Sequence, residues 1–271
     1  AGSGQHLTQL GNWYTFRYRP ILSPGADGPT MLKALAQTLS TKASRITLTG
    51  LPADDAAHLT QAFQATGWLV WREQCSVNHI LPLNGRDYGT FLSDRPGKLR
   101  TTLKRKSGKV TTQVLSYFEA DDWAAYEDIY AESWKPEEGS PAFLHAFAQA
   151  EGEAGRLRLG IAHDHQGNAI AAQMWTVEGG TAFIHKLAHR ENAKALSPGS
   201  VLSAALFQHV IDVDNVTMID FGTGDDPYKR DWMEQVRARY RLDIIRPLAP
   251  KNWPLLLRKT AQSLAARAKR S

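Results

Sequence analysis

Apolar residues recur along the chain at two spacings, every second position and every third to fourth, and the switches between the two predict its elements. Val110–Phe118 alternates as a strand. Asp121–Trp134 and Pro141–Gly152 carry apolar residues at helical spacing, the first opened by an aspartate pair suited to N-capping. Three strand-like runs follow, RLRLGIAHD (156–164), NAIAAQMWTVE (168–178) and TAFIHKLAH (181–189), separated by His-Gln-Gly and Gly-Gly turn signals. SPGSVLSAALFQHVID (197–212) predicts a helix with Ser-Pro-Gly at its entrance, VTMIDFG (216–222) a strand, DDPYKRDWMEQV (225–236) a short helix and YRLDIIRPL (240–248) a last strand. The chain ends in NWPLLLRKTAQSLAARAKRS (252–271), a basic helix whose leucines need a docking surface.

The first hundred residues predict a shorter version of the same layout. NWYTFRYRP (12–20) reads as a strand, GPTMLKALAQTLS (28–40) as a helix, SRITLTGL (44–51) as a strand, ADDAAHLTQAFQATG (53–67) as a helix and WLVWREQCSVNHILPL (68–83) as a strand. At an offset of 171 residues, Asp54-Asp55 falls on Asp225-Asp226, each pair the same distance behind an apolar strand. Matched period and layout point to an ancient duplication. The division expected is a degenerate partial domain at 5–90, a basic linker helix at 91–109, a complete domain at 110–250 and a terminal basic amphipathic helix at 251–271.

Composition narrows the function classes. At 271 residues with 42% hydrophobic and 22% charged content, the chain is an ordinary folded protein without low-complexity tracts. Its apolar runs fall far short of the ~20 residues a membrane span needs. A cytoplasmic location is expected, and Ala1-Gly2-Ser3-Gly4 reads as a tag remnant. The lone Cys75 forms no internal disulfide, and no Cys/His spacing suits zinc; His163 and His165 read as a turn between strands. The net charge of +5 is uneven: residues 95–109 hold seven Lys/Arg and no acid, and 229–271 hold twelve Lys/Arg against three acids. Such patches attract phosphates, nucleic acid or anionic membrane surfaces, or form solvated helix faces.

Candidate chemistry concentrates in the second half. A helix N-terminus offers unpaired N–H groups and roughly half a positive charge, so Ser197, Pro198, Gly199 and Ser200 form either an anion cradle or an ordinary N-cap. By two-residue alternation Phe183, His185, Leu187 and His189 share one strand face, and His185 is either a general base or a core histidine. Asp220 stands on an otherwise apolar strand, where burial demands a partner. The repeat acts as a control. Both copies keep the aspartate pair, which reads as helix capping, while only the second has Asp220, Gly224, Tyr228 and Lys229, against Thr49, Ala53, Ala57 and His58.

The element order, Ser197-Pro198-Gly199, and the pattern Asp220-Phe221, Gly224-Asp225, Tyr228-Lys229 and Trp232 resemble the GNAT N-acyltransferases. More narrowly they resemble the CelD-like acyltransferases, relatives of the FemAB aminoacyltransferases that carry two GNAT domains in tandem. The resemblance implies an α/β (α+β) fold of tandem GNAT-like domains, with a mixed, mostly antiparallel sheet flanked by helices. It implies transfer of an acyl group from a thioester to an amine on a small-molecule or lipid-like acceptor, with no permanent cofactor. Ser197–Ser200 would cradle the phosphates of the donor, His185 would serve as base, Tyr228 as acid, Lys229 as oxyanion stabiliser or surface ion pair, and Asp220 would hold the amine, Lys229 or His185. Gly224, Asp225 and Trp232 would line the substrate site. The entrance has one glycine where the family loop has two, which leaves acyl-CoA, an acyl carrier protein or an aminoacyl-tRNA as donor. For the tRNA alternative Lys98, Arg100, Lys104, Arg105 and Lys106 would contact phosphates; for a peripheral or assembly role 251–271 would meet an anionic membrane.

Overall fold

The computed structural model describes residues 5–12 and 14–268; residues 1–4 lie outside this range. In chain order the elements begin with β1 (Gln5–Thr8), α1 (Gly28–Leu39), β2 (Ala43–Leu51), α2 (Ala53–Gln64), β3 (Leu69–Pro82), α3 (Tyr88–Ser93) and α4 (Gly97–Lys106). There follow β4 (Thr111–Leu115), α5 (Ala120–Ala131), α6 (Pro141–Glu153), β5 (Leu157–His163), β6 (Ala169–Glu178) and β7 (Thr181–His189). Last come α7 (Pro198–Gln208), β8 (Met218–Thr223), β9 (Gln235–Ile245) and α8 (Trp253–Ala268). The chain divides into two compact units, Ala1–Val77 with Arg237–Ser271, and Asn78–Val236. β3 carries the chain from unit 1 into unit 2, and β9 carries it back.

In unit 1 the strand order is β1-β2-β9-β3, with β1 parallel to β2 and β2 antiparallel to β9. One sheet face supplies Ile46, Leu242 and Ile244 to a core closed by Leu32 and Ala36 of α1 and by Leu59 and Phe63 of α2. Trp68 completes it, edge-on to Phe63, its indole N–H donating to the Ala36 carbonyl at 3.2 Å. Strand alternation puts Asp243 on the other face. There it accepts hydrogen bonds from Thr47 at 3.2 Å and Arg241 at 3.0 Å, and Lys259 of α8 lies 2.9 Å away. Burial would raise its pKa, but the bonds from Arg241 and Lys259 prevail and hold it at about 2.

In unit 2 the order is β3-β8-β7-β6-β5-β4, antiparallel throughout except for the parallel β7–β8 pair. α7 packs Leu202, Leu206 and Phe207 into the core with Trp175 and Trp232. It can lie that close because β5 has Gly160 beneath it. A Cβ there would stand 2.8 Å from Leu206 Cδ1 and 3.0 Å from Leu202 Cδ1.

Most expected elements form, and five readings are corrected. Residues 14–20 and Asn12 are irregular rather than a strand, because Asn12 folds back: its side chain accepts from the Tyr14 N–H at 2.9 Å and its own N–H donates to Thr15 Oγ1 at 3.1 Å. The unit 1 sheet starts earlier, at Gln5. The aspartates at 121 and 122 lie inside the first turn of α5, and the N-cap is Glu119, with no side-chain cap bond. DDPYKRDWMEQV forms one 3-10 turn, Pro227–Asp231, instead of a helix. Its apolar residues obey the core rather than a helical face: Trp232 stacks on Phe207 at 4.7 Å, and the Glu234 N–H donates to the Ile80 carbonyl. Hence Asp226 only precedes a 3-10 turn and makes no side-chain cap there, while Asp54-Asp55 lies in the first turn of α2. The last strand, read with the second copy, is β9 of unit 1 from Arg237 onward.

Candidate functional site

The site is built where the parallel pair ends. β7 and β8 pair from Thr181–Met218 to Phe183–Asp220, and pairing stops there although β7 runs on to His189 and β8 to Thr223. At the same level β7 bulges. β6 opposes Trp175 to Ile184 and Met174 to Lys186, which leaves His185 as the extra residue.

The bulge overturns the expected common face. Phe183 lies opposite Thr176 and Leu187 opposite Gln173, and residues three apart on β6 point to opposite sides. His185 stays on the Phe183 side, its Nε2 2.8 Å from Thr176 Oγ1 and its ring 5.2 Å from that of Phe147. Lys186 points the same way and binds Glu138 at 2.6 Å. Leu187 and His189 turn to the α7 side. Burial depresses the His185 pKa to about 4, with Glu151 opposing and Lys186 reinforcing, so the ring is neutral at pH 7.

α7 enters beside this opening. Ser197 precedes it in the left-handed conformation, φ 52°, and accepts the N–H groups of Ser200 and Val201 on its carbonyl. No side chain caps the first turn, so the ordinary Ser N-cap is not formed. Gln173 of β6 holds the entrance, donating to the Gly199 carbonyl at 2.9 Å and lying 2.8 Å from Ser203 Oγ. A polar cleft of about 600 Å³ adjoins it, lined by Glu132, Asp164, Asn168, Arg190, Asn192 and Leu196.

β8 and the turn after it supply the remaining groups. Asp220 is 7% exposed and accepts from Asn78 Nδ2 at 2.9 and 3.1 Å and from the Gly222 N–H at 2.8 Å. Asn78 Oδ1 is buried beside it, and no donor among the described residues reaches it. Lys229 is buried, its ammonium donating to the Thr223 carbonyl at 2.6 Å and lying 3.7 Å from Asp226. Burial lowers its pKa, with Asp226 opposing and Lys135 reinforcing. Gly224 has φ +99°, a backbone open to glycine, and folds the loop around that ammonium. Tyr228 is 37% exposed, edge-on to Phe221 at 5.6 Å, and burial lifts its pKa well above the usual tyrosine range, Asp226 adding to the rise.

The other sequence candidates separate. Asp225 binds Arg230 at 2.7 Å and lies 3.0 Å from the buried His79. Hydrogen bonds from Arg230 and His79 hold its carboxyl below the usual range. Trp232 is a core residue, 4% exposed. Lys104 and Arg105 are exposed on α4, while neighbouring Lys106 donates to the Ala195 carbonyl, two residues before Ser197. Sequence reasoning missed Asn78, Lys186 and the α5–α6 connection with Trp134, Lys135 and Glu138. Only Asn78 left a signal, a lone amide opening the buried run Asn78–Leu83.

A family profile described as an acetyltransferase (GNAT) domain matches residues 97–230, which take in the bulge, the parted strands and the α7 entrance. Residues 97–230 form a GNAT acyltransferase domain. Solved structures agree on the fold of this GNAT protein. FemX superposes with a TM-score of 0.59 at 11% identity, over 78% of this chain and 75% of its own. L-PGS from Bacillus licheniformis gives 0.57 at 13% identity, over 88% and 78%. A conserved protein of unknown function from Bacteroides thetaiotaomicron gives 0.59 at 14%, over 80% and 75%. A comparison with curated proteins finds no match. Among the described residues of this GNAT protein, no cluster of His, Cys, Asp and Glu could hold a metal, and no helix is long and apolar enough to cross a membrane.

Proposed function

We propose that this GNAT protein is a CelD-like N-acyltransferase that moves an acyl group from a thioester, acyl-CoA or acyl carrier protein, to an amine in unit 2. The observation that carries the reading is the parallel β7–β8 pair parting beside a bulge, with an uncapped helix entrance at hand. A bulge turns backbone groups out of the ladder, where an N–H can polarise a thioester carbonyl. The entrance suits the donor's phosphates through Ser197, Gly199 and Ser200.

Amide synthesis then needs four bond changes. The amine nitrogen bonds to the carbonyl carbon, the C–S bond breaks, one proton leaves nitrogen and one reaches sulfur. Asp220 and the unfilled Asn78 Oδ1 offer acceptors for the amine. His185, neutral at pH 7, is the proton acceptor, and Tyr228, held protonated, is the donor to sulfur. Lys229 shapes the loop and adds positive charge for the oxyanion.

Release of free thiol from acetyl-, medium- and long-chain acyl-CoA, over a panel of amines, tests the reading. Tyr228→Phe and His185→Ala are each expected to fold normally and lose about 10²–10⁴-fold in kcat. Full activity in both removes the assigned chemistry. A second donor, aminoacyl-tRNA, is favoured by the exposed cations Lys98, Arg100, Lys104 and Arg105 of α4, and its binding would weaken steeply with salt. Exposed Trp253 and Leu257 beside Lys251 and Arg258 on or next to α8 support attachment to an anionic membrane face, which vesicle flotation with and without 251–271 would test.

A further inference from the structure

Three lysines, Lys135, Lys186 and Lys229, gather within electrostatic reach of one another, and two of them are answered. Lys186 has Glu138 at 2.6 Å, and Lys229 has the Thr223 carbonyl at 2.6 Å with Asp226 at 3.7 Å. Lys135 is different. Among the described residues no carboxylate or carbonyl lies within hydrogen-bonding distance of its ammonium, which stands 5.1 Å from the centre of the Trp134 ring. The backbone holds the residue in place, its N–H donating to Ser133 Oγ at 3.2 Å.

The position is not casual. Trp134 stacks on His189 at 4.4 Å, and the His189 ring is 3.5 Å from where a Cβ on Gly199 would stand. The α5–α6 connection therefore reaches the first turn of α7. Lys135 also feels Asp226 and Lys186. Burial pushes its pKa down, Lys186 pushes the same way, and Asp226 alone opposes. Asp226 already serves Lys229. A half-buried ammonium without its own acceptor is a standing cost that an anion of the right reach removes.

We propose that Lys135 receives an anionic group, carboxylate or phosphate, of a substrate bound at the α7 entrance. The word substrate rests on the acyl-transfer reading; the anion site does not. Two sources share this chemistry, the phosphates of the donor and an acid carried by the acceptor amine.

The test is an NMR titration of the full chain with isotope-labelled lysine, the Lys135 signal assigned by its loss in Lys135→Gln. The probes are paired: L-alanine and ethylamine differ only in the carboxylate, and CoA and pantetheine differ in the phosphates and the adenosine they carry. An anionic probe is expected to raise the Lys135 midpoint by about one unit or more, since preferential binding to the charged form by tenfold has that effect. Its affinity should fall about tenfold in Lys135→Gln and recover in Lys135→Arg. A response to CoA but not pantetheine assigns the donor, and one to alanine but not ethylamine assigns the acceptor. A midpoint unmoved by both CoA and alanine, or Lys135→Gln binding both as tightly as wild type, overturns the proposal. A midpoint that rises in a protein that releases no thiol from any acyl-CoA leaves Lys135 standing and sinks the acyl-CoA reading instead.

Discussion

In unit 1 the buried carboxylate of Asp243 is met by Thr47, Arg241 and Lys259, whereas in unit 2 the half-buried ammonium of Lys135 has only an indole beside it. Both units remove charge from water. Unit 1 matches that charge within its own fold, so the group serves cohesion. Unit 2 pairs Lys186 and Lys229 but leaves Lys135 without an acid of its own, a charge that a bound anion would meet. The aspartate pairs make the same contrast on the surface. Asp54 and Asp55 sit in the first turn of a regular helix, while Asp225 ties down His79 and Arg230 and Asp226 faces Lys229.

Removing the matched charge should have the largest effect. Asp243→Ala leaves Lys259 and Arg241 facing each other and is expected to cost about 3–5 kcal/mol in chemical denaturation; a loss below 1 kcal/mol would show that the cluster is solvated rather than cohesive. The next effect is pH-dependent. His185 has a folded pKa of about 4 against an ordinary 6.5, so the unfolded chain binds more protons between those values. Stability should fall by about 2 kcal/mol from pH 7 to pH 5, and this part of the fall should vanish in His185→Gln.

Smaller effects sharpen the contrast between the pairs. Asp54→Asn should cost about 0.3–1 kcal/mol, diminishing with salt, because its partner is the partial charge of a helix end. Asp225→Asn should leave far-UV helical content unchanged and alter the His79 ring signals. Lys135→Gln should change stability least, within about 0.5 kcal/mol. A loss of several kcal/mol there would mean that Lys135 is structural and that the contrast fails.

Strand and helix order in unit 2 was legible because apolar runs of strand length are bounded by turns marked by glycine or aspartate, as in His163–Asn168 and Gly179-Gly180. Other features were not legible, for identifiable reasons. Residues 12–20 alternate as well as many true strands, yet Asn12 offers the backbone a competing turn. Pro227 to Val236 has helical spacing, but the core claims Trp232 and the β3 ladder claims Glu234. TAFIHKLAH holds no glycine or proline to mark a bulge, which is visible only against β6. Asp220, Tyr228 and Lys229 stood out because the repeat lacks them. Lys135 lies in a polar connection outside any motif, and its meaning comes from three-dimensional neighbours alone.

The bulge at His185 is a shift of phase, and phase is not altered by substitution. Exchanging the side chain at 185 changes one group and leaves the others where they are. Deleting that single residue would advance the rest of β7 by one step, sending Lys186 and Ala188 toward α7 and Leu187 and His189 toward α6. Lys186 would lose Glu138, and Trp134 would lose the ring that holds it over the helix entrance. The layout of the cleft is thus written in the count of residues along one strand, and a change of one codon in length would rewrite more of it than any exchange of one amino acid for another.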